Sequence, residues 1–187
     1  MILLTGFEPF GGMPRNPSGE IAEALSGGDV EGAVLPVDYA QIGPALDVLL
    51  ARRWDAIVLM GVAIKRSHFS LETTAVNKRD LSRTDNALRA PDGREVVAGG
   101  PKMYLSTLPL AEMYVAAQAA GVPVEMSQSA GEYLCNTSFY LARHATGELP
   151  CGFIHTPPTP DIARGGVPLP LDDQVRGVGA MLDALRQ

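Results

Sequence analysis

Short apolar runs alternate with longer stretches of helical spacing along this chain, and that alternation limits the folds open to it more than any other feature. The runs are ILLT (2–5), GAVLPV (32–37), AIVLMG (56–61), VPVEMS (122–127) and CGFIHT (151–156). Each has the length of a buried strand. Between them, SGEIAEAL places Ile21, Ala24 and Leu25 on one face, with Ser18 as the expected N-cap. Asp38 is expected to cap YAQIGPALDVLLARR, where Ile42, Leu46, Leu49 and Leu50 form a stripe. LAEMYVAAQAAG (110–121) ends on a glycine and is followed by Pro123, a usual helix stop. NTSFYLARHATG (136–147) ends in the same way, and DDQVRGVGAMLDALR carries a last stripe of Val175, Val178, Met181, Leu182 and Leu185. Strands alternating with helices predict an α/β chain with a mostly parallel sheet covered on both faces. Residues 65–101 break the pattern. SLETTAVN has strand character, RDLSRTDNALRAPDG is polar and turn-rich, and REVVAGG reads as a hairpin arm. A long irregular stretch of this kind signals a functional or a disordered loop.

A length of 187 residues suits one domain with a sizeable core, and no linker or repeat divides it. Apolar residues at 46% and charged residues at 19% argue against a disordered chain. The net charge of −6 offers no basic footprint for nucleic acid. The opening MILLTGFEPFGG has no basic n-region and no long apolar core, so it does not read as a signal peptide. No apolar run approaches the roughly 18–20 residues that span a bilayer. Two cysteines make no disulfide framework, and the chain reads as cytoplasmic with reduced thiols.

Three features carry chemistry. The first is the loop TGFEPFGGMPRNPS, expected at the C-terminal edge of the sheet, where α/β folds bind ligands. It lacks a GxGxxG or GKS/T pattern, so a phosphate loop is a weak reading. Phe7 and Phe10 either wall a small apolar ligand or cover the sheet edge as core. The second is Cys135 in GEYLCNTSFY, near an expected helix start. There the dipole favours a thiolate, and free N–H groups can hold an oxyanion. The alternative is a packed thiol.

The third feature is a base for that thiol, sought among three histidines. His144 lies nine residues on along the same helix, on the opposite face and about 13.5 Å away along the axis. Nothing fixes His68 near the cysteine. His155 ends the strand CGFIH that follows the Cys135 helix. If VPVEMS and CGFIH are parallel strands joined by that helix, the helix start and the second strand's end share one edge. That geometry favours His155. Cys151 begins the same strand, about 13 Å from His155, and reads as structural. An acid to orient the imidazole is left open among Glu72, Asp80, Asp85, Glu132 and Asp161. Glu72 stands among apolar residues, where a buried acid needs a partner, although a surface strand glutamate is the commoner case.

GFEPFGG with NPS, LETTAVN, STLPL, SAGEYLCN and GFIHTP occur in this order across nearly the whole chain. In these blocks the chain resembles the pyrrolidone-carboxylate peptidases, or type I pyroglutamyl peptidases. The resemblance implies a single α/β/α sandwich around a twisted sheet. It also implies a cytosolic cysteine peptidase, often a homotetramer, that removes N-terminal pyroglutamyl residues without metal or cofactor. It assigns the triad Cys135, His155 and Glu72, and places Phe7, Phe10, Asn16, Val62, Tyr133 and Leu134 around the substrate. The chain departs from the family in GVAIKR, where Ile64 and Lys65 replace small residues and Val62 stands where some members carry glutamine, while Gly61, Ala63 and Arg66 match. In NKRDLSRTDN, Asp80, Asp85 and Asn86 match, but Ser82 falls where an arginine is usual, with Arg83 beside it. These departures leave two alternatives: an amidase with a shifted substrate, or a small-molecule binding module that has lost catalysis.

Overall fold

Successive side chains of a strand point to opposite faces, and in the central strands of this chain both faces are apolar. Such a sheet is stable only between two helical layers. The computed structural model, which describes residues 1–165 and 167–186, has that arrangement. Six strands pair in the order β2-β1-β3-β8-β4-β7: β1 (Ile2–Phe7), β2 (Val30–Leu35), β3 (Ala56–Val62), β4 (Phe69–Glu72), β7 (Val124–Ser127) and β8 (Cys151–Thr156). A separate antiparallel pair joins β5 (Thr74–Val76) to β6 (Met103–Leu105). On one face Ile2, Leu4, Val58, Met60 and Ile154 pack against α1 (Pro17–Ala24), α3 (Leu110–Ala119) and α5 (Leu171–Asp183). On the other, Leu3, Ile57, Leu59 and Phe153 meet α2 (Ile42–Leu50) and α4 (Leu134–Thr146). A short 3-10 turn, Ala184–Arg186, follows α5.

Several expected boundaries move, each for a local reason. Asn16, not Ser18, caps α1: its Oδ1 accepts from the Ser18 N–H at 3.1 Å and from the Ser18 hydroxyl at 2.9 Å. Pro17 then occupies a first-turn position that needs no N–H donor. Asp38 heads a separate turn, accepting from the N–H groups of Ala40 and Gln41, and α2 begins only at Ile42. REVVAGG forms no strand, and the hairpin partner of β5 is Met103–Leu105 instead. The irregular stretch is held by side chains rather than by a ladder. Asn77 binds Val96, Val97 and Gly100 backbone groups, and Asp85 accepts from the N–H groups of Tyr39, Ala87 and Arg89.

The largest departure is one of direction. β4 runs antiparallel to β8, and β7 runs parallel to β4. VPVEMS and CGFIH are therefore neither parallel nor neighbours, contrary to the expectation for the unit around Cys135. The sheet is still mostly parallel through β2, β1, β3 and β8. Among the described residues no helix is long and apolar enough to cross a membrane.

Candidate active site

The ends of β3, β8, β4 and α4 meet over one patch of the sheet. The edge argument for Cys135 and His155 survives the reversed β7, because it needs only the α4–β8 half of the unit. α4 runs back over the sheet and enters β8 through a short link (147–150), so its first turn lies beside the end of β8. Cys135 is the second residue of α4, and the N–H groups of Leu134, Cys135 and Asn136 open that helix without intrahelical acceptors. Asn136 fixes the turn. Its Oδ1 accepts from the Val76 N–H at 2.9 Å, and its Nδ2 donates to the carbonyls of Val76 and Lys78 at 2.8 and 2.9 Å.

Gly61 makes room for the thiol. It is the register partner of His155 in the β3–β8 ladder, and a Cβ built on it would stand 2.8 Å from the Cys135 sulfur. The sulfur thus lies over Gly61, on the strand that borders His155. On the far side, the antiparallel β4 ladder pairs Ser70 with His155 and Glu72 with Phe153. Glu72 is then the diagonal neighbour of His155 on the same face, a spacing that long side chains bridge. His155 Nδ1 and Glu72 Oε1 are 2.7 Å apart.

Glu72 is fully buried, so its charge requires partners. Burial by itself would raise its carboxyl, but His155, the Ser127 hydroxyl and Arg66 outweigh that and hold it below the usual range. Arg66 donates from Nη1 to the same Oε1 at 2.7 Å, while its Nη2 reaches the Ser129 carbonyl at 3.4 Å. Oε2 has no hydrogen-bond partner among the described residues. His155 is buried as well. Desolvation works against its charge, yet the facing Cys135 and the Glu72 carboxylate push it up to about 9. Both influences favour the charged form of the imidazole beside its carboxylate.

The other expected candidates sit elsewhere. His144 bonds the Tyr104 hydroxyl at 2.7 Å and stacks on Tyr140, while His68 lies 3.3 Å from Glu125. Asp80 accepts from Ser82, Glu132 pairs with Lys78, and Asp161 faces Arg15. Cys151 is fully buried, which pushes its thiol up to about 12.

A cleft of about 660 Å³ opens over the thiol, with Phe10, Val62, Ile64, Tyr133, Cys135 and His155 among its walls. Three of the residues expected around it do not line it. Phe7 is packed in the core at the end of β1, Leu134 is buried under α4, and Asn16 spends its amide on the α1 cap and the Glu8 carbonyl. In each case the side chain is consumed by the scaffold that shapes the loop. Residues without an assigned role from sequence prove close to the chemistry: Gly61, Arg66, and Arg83, whose guanidinium lies 4.4 Å over the Tyr133 ring. The only sequence signals for them were position, within GVAIKR and beside Ser82.

Comparison with known proteins agrees with this architecture. The pyroglutamyl peptidase family model matches residues 1–187. A pyrrolidone-carboxylate peptidase of Cupriavidus taiwanensis is 40% identical over 191 aligned positions, covering 95% of this chain and 88% of its own. One from Pyrococcus furiosus is 39% identical, covering 89% of this chain and 88% of its own. The crystal structure of the pyrrolidone carboxyl peptidase from Thermus thermophilus superposes with a TM-score of 0.92 at 38% identity, over 98% of this chain and all of that one. The enzyme from Thermococcus litoralis gives 0.93 at 29%, over 99% of this chain and 92% of that one. The chain belongs to the pyroglutamyl peptidase family.

Proposed function

We propose that this protein is a cysteine exopeptidase that removes an N-terminal pyroglutamyl residue from peptides, with Cys135 as nucleophile, His155 as acid and base, and Glu72 as the orienting acid. The observation that carries the reading is the 2.7 Å contact between His155 Nδ1 and Glu72 Oε1, with the Cys135 sulfur over the strand partner of His155. That contact ties up Nδ1 and leaves Nε2 for the thiol. The Cys135 thiolate attacks the pyroglutamyl carbonyl carbon, and the new C–S bond places negative charge on the oxygen. N–H groups at the start of α4 take that charge, worth about 3–4 kcal/mol per donor in comparable sites. The C–N bond breaks as His155 protonates the leaving amine. Water, deprotonated by His155, then hydrolyses the thioester.

The uncharged lactam suits a pocket walled by Phe10, Val62 and Tyr133. A free N-terminal glutamate would bring an ammonium and a carboxylate against those apolar walls, where shedding their water is costly. The same reading makes the protein a cytoplasmic homotetramer, a state that light scattering on the purified chain measures.

Cys135→Ala is expected to lower release of a fluorophore from a pyroglutamyl amide by about 10³-fold or more. An Ala variant that keeps its rate refutes the assignment. Iodoacetamide should label Cys135 alone, because Cys151 is fully buried. A panel of other N-acyl fluorophores separates the neighbouring readings. Turnover of those substrates with none of the pyroglutamyl amide indicates a shifted amidase, and turnover of nothing indicates a binding module.

A further inference from the structure

A second cleft of about 410 Å³ adjoins the catalytic one and shares the walls Phe10, Ile64, Arg83 and Tyr133 with it. Arg164 and Leu88 line the second cleft alone, and Lys65 lines the first. We propose that this second cleft receives the peptide downstream of the pyroglutamyl residue and selects a carboxylate there, through Arg83 and Arg164, with Lys65 of the first cleft adding to the positive field; the proposal rests on the peptidase reading above.

Charge carries the argument. The chain is acidic overall, at −6, yet Arg83 stands on the wall that the two clefts share, Arg164 lines the second and Lys65 the first. Among the described residues none of Arg83, Arg164 and Lys65 is within ion-pair distance of a carboxylate, whereas Arg66 is bound to Glu72. The nearby acids are occupied. Asp85 is buried, accepts from three backbone N–H groups and faces Arg89, while Glu132 pairs with Lys78 and Asp80 with the Ser82 N–H and hydroxyl. Arg83 is also pre-positioned. Its guanidinium lies over Tyr133, whose hydroxyl donates to the Thr84 carbonyl at 2.9 Å. Such stacking reduces the freedom an arginine loses on pairing. Arg83 and Tyr133 line both clefts, so this cation stands between the thiol-bearing cleft and its neighbour. Leu88, 82% exposed and in the left-handed region at φ 59°, offers an apolar stem contact beside it.

The substrate chemistry complements this surface. A pyroglutamyl terminus has no α-ammonium group, so nothing at its head is repelled by the cations. The first charges are those of the next residue: an acidic side chain, or the C-terminal carboxylate of a pyroglutamyl dipeptide. Exposed pairs of this kind are individually weak, and a few together are expected to give about three- to tenfold in kcat/KM.

The test uses short peptides on the full chain, with release followed by liquid chromatography. Pyroglutamyl-glutamic acid amide, pyroglutamyl-glutamine amide and pyroglutamyl-lysine amide read the side-chain source. Pyroglutamyl-alanine against its amide reads the terminal carboxylate. The acidic member of a set is expected to lead in kcat/KM at low salt, and the lead is expected to shrink at about 0.5 M salt as screening sets in. In Arg83→Gln and Arg164→Gln the acid-to-lysine ratio should fall, further in the double variant. Both substrates are read on the same variant, so any general loss of folding or turnover cancels in the ratio. A flat panel alongside normal release from a pyroglutamyl coumarin amide overturns the subsite and leaves the peptidase reading intact. A wild-type ratio that survives both substitutions also overturns it. No release from any pyroglutamyl substrate overturns both.

Discussion

At Glu72 one carboxylate oxygen serves two partners, the His155 ring and the Arg66 guanidinium, each at 2.7 Å. The arrangement makes Arg66 a positioning residue: its hydrogen bonds go to Glu72 and to the Ser129 carbonyl, and it helps keep Glu72 charged and aimed. Arg66→Met removes a cation from a buried acid, and the Glu72 carboxyl should move up from its lowered position, with His155 still holding it down. The acid limb of the kcat profile is then expected to shift to higher pH, with Arg66→Lys restoring part of it. A variant that loses rate equally at every pH would reduce Arg66 to a scaffold role. Gly61 acts at the same scale by the opposite means, since it contributes the absence of a side chain where the sulfur must lie.

Individual elements decide how well those residues meet. The first turn of α4 is tied to the strand beside it by Asn136, a fully buried amide that makes three hydrogen bonds to Val76 and Lys78 backbone groups. Asn136→Ala leaves those groups unpaired and is expected to cost about 2–4 kcal/mol by denaturant titration, with catalysis falling further than stability accounts for. A loss below about 1 kcal/mol would mean that α4 is held by packing alone. The elements were largely legible in the sequence, because β1, β3 and β8 are continuous apolar runs and α3 and α5 have clear stops. Strand direction was not legible. β4 is a four-residue strand entered from a loop, and nothing in FSLE states which way it runs, yet its reversal is what brings Glu72 diagonal to His155. The acid therefore stayed one of several from the residues alone, and only the family resemblance singled it out. Phe7, Asn16 and Leu134 mislead for a related reason, since a motif conveys proximity to a site but not whether the side chain faces the cleft or the core.

For the whole molecule, the buried pair couples folding to pH. His155 is raised to about 9 in the fold, above the ordinary histidine value of 6.5. A raised base binds its proton more tightly folded than unfolded, so its contribution is complete below pH 6.5 and is lost as pH climbs through about 9. Glu72 has the opposite sign. Its depressed carboxyl stabilises the fold above the ordinary range and loses that contribution as pH falls through the lower, folded value. Stability should therefore plateau between weakly acidic and neutral pH and decline on both sides. The alkaline decline has a specific owner, because the facing Cys135 is the largest of the influences that raise His155 against its burial. Cys135→Ser removes the sulfur but keeps nearly the same shape. In that variant burial regains ground and the His155 value falls, so the alkaline loss of Tm, which still starts near the unfolded value of 6.5, should end at lower pH with a smaller total amplitude. Melts of the wild type and Cys135→Ser from pH 5 to about 10, followed by Trp54 fluorescence, measure the difference. Superimposable alkaline limbs would mean that the sulfur does not act on the imidazole, and the direct pairing of Cys135 with His155 on which the proposed chemistry rests would have to be abandoned.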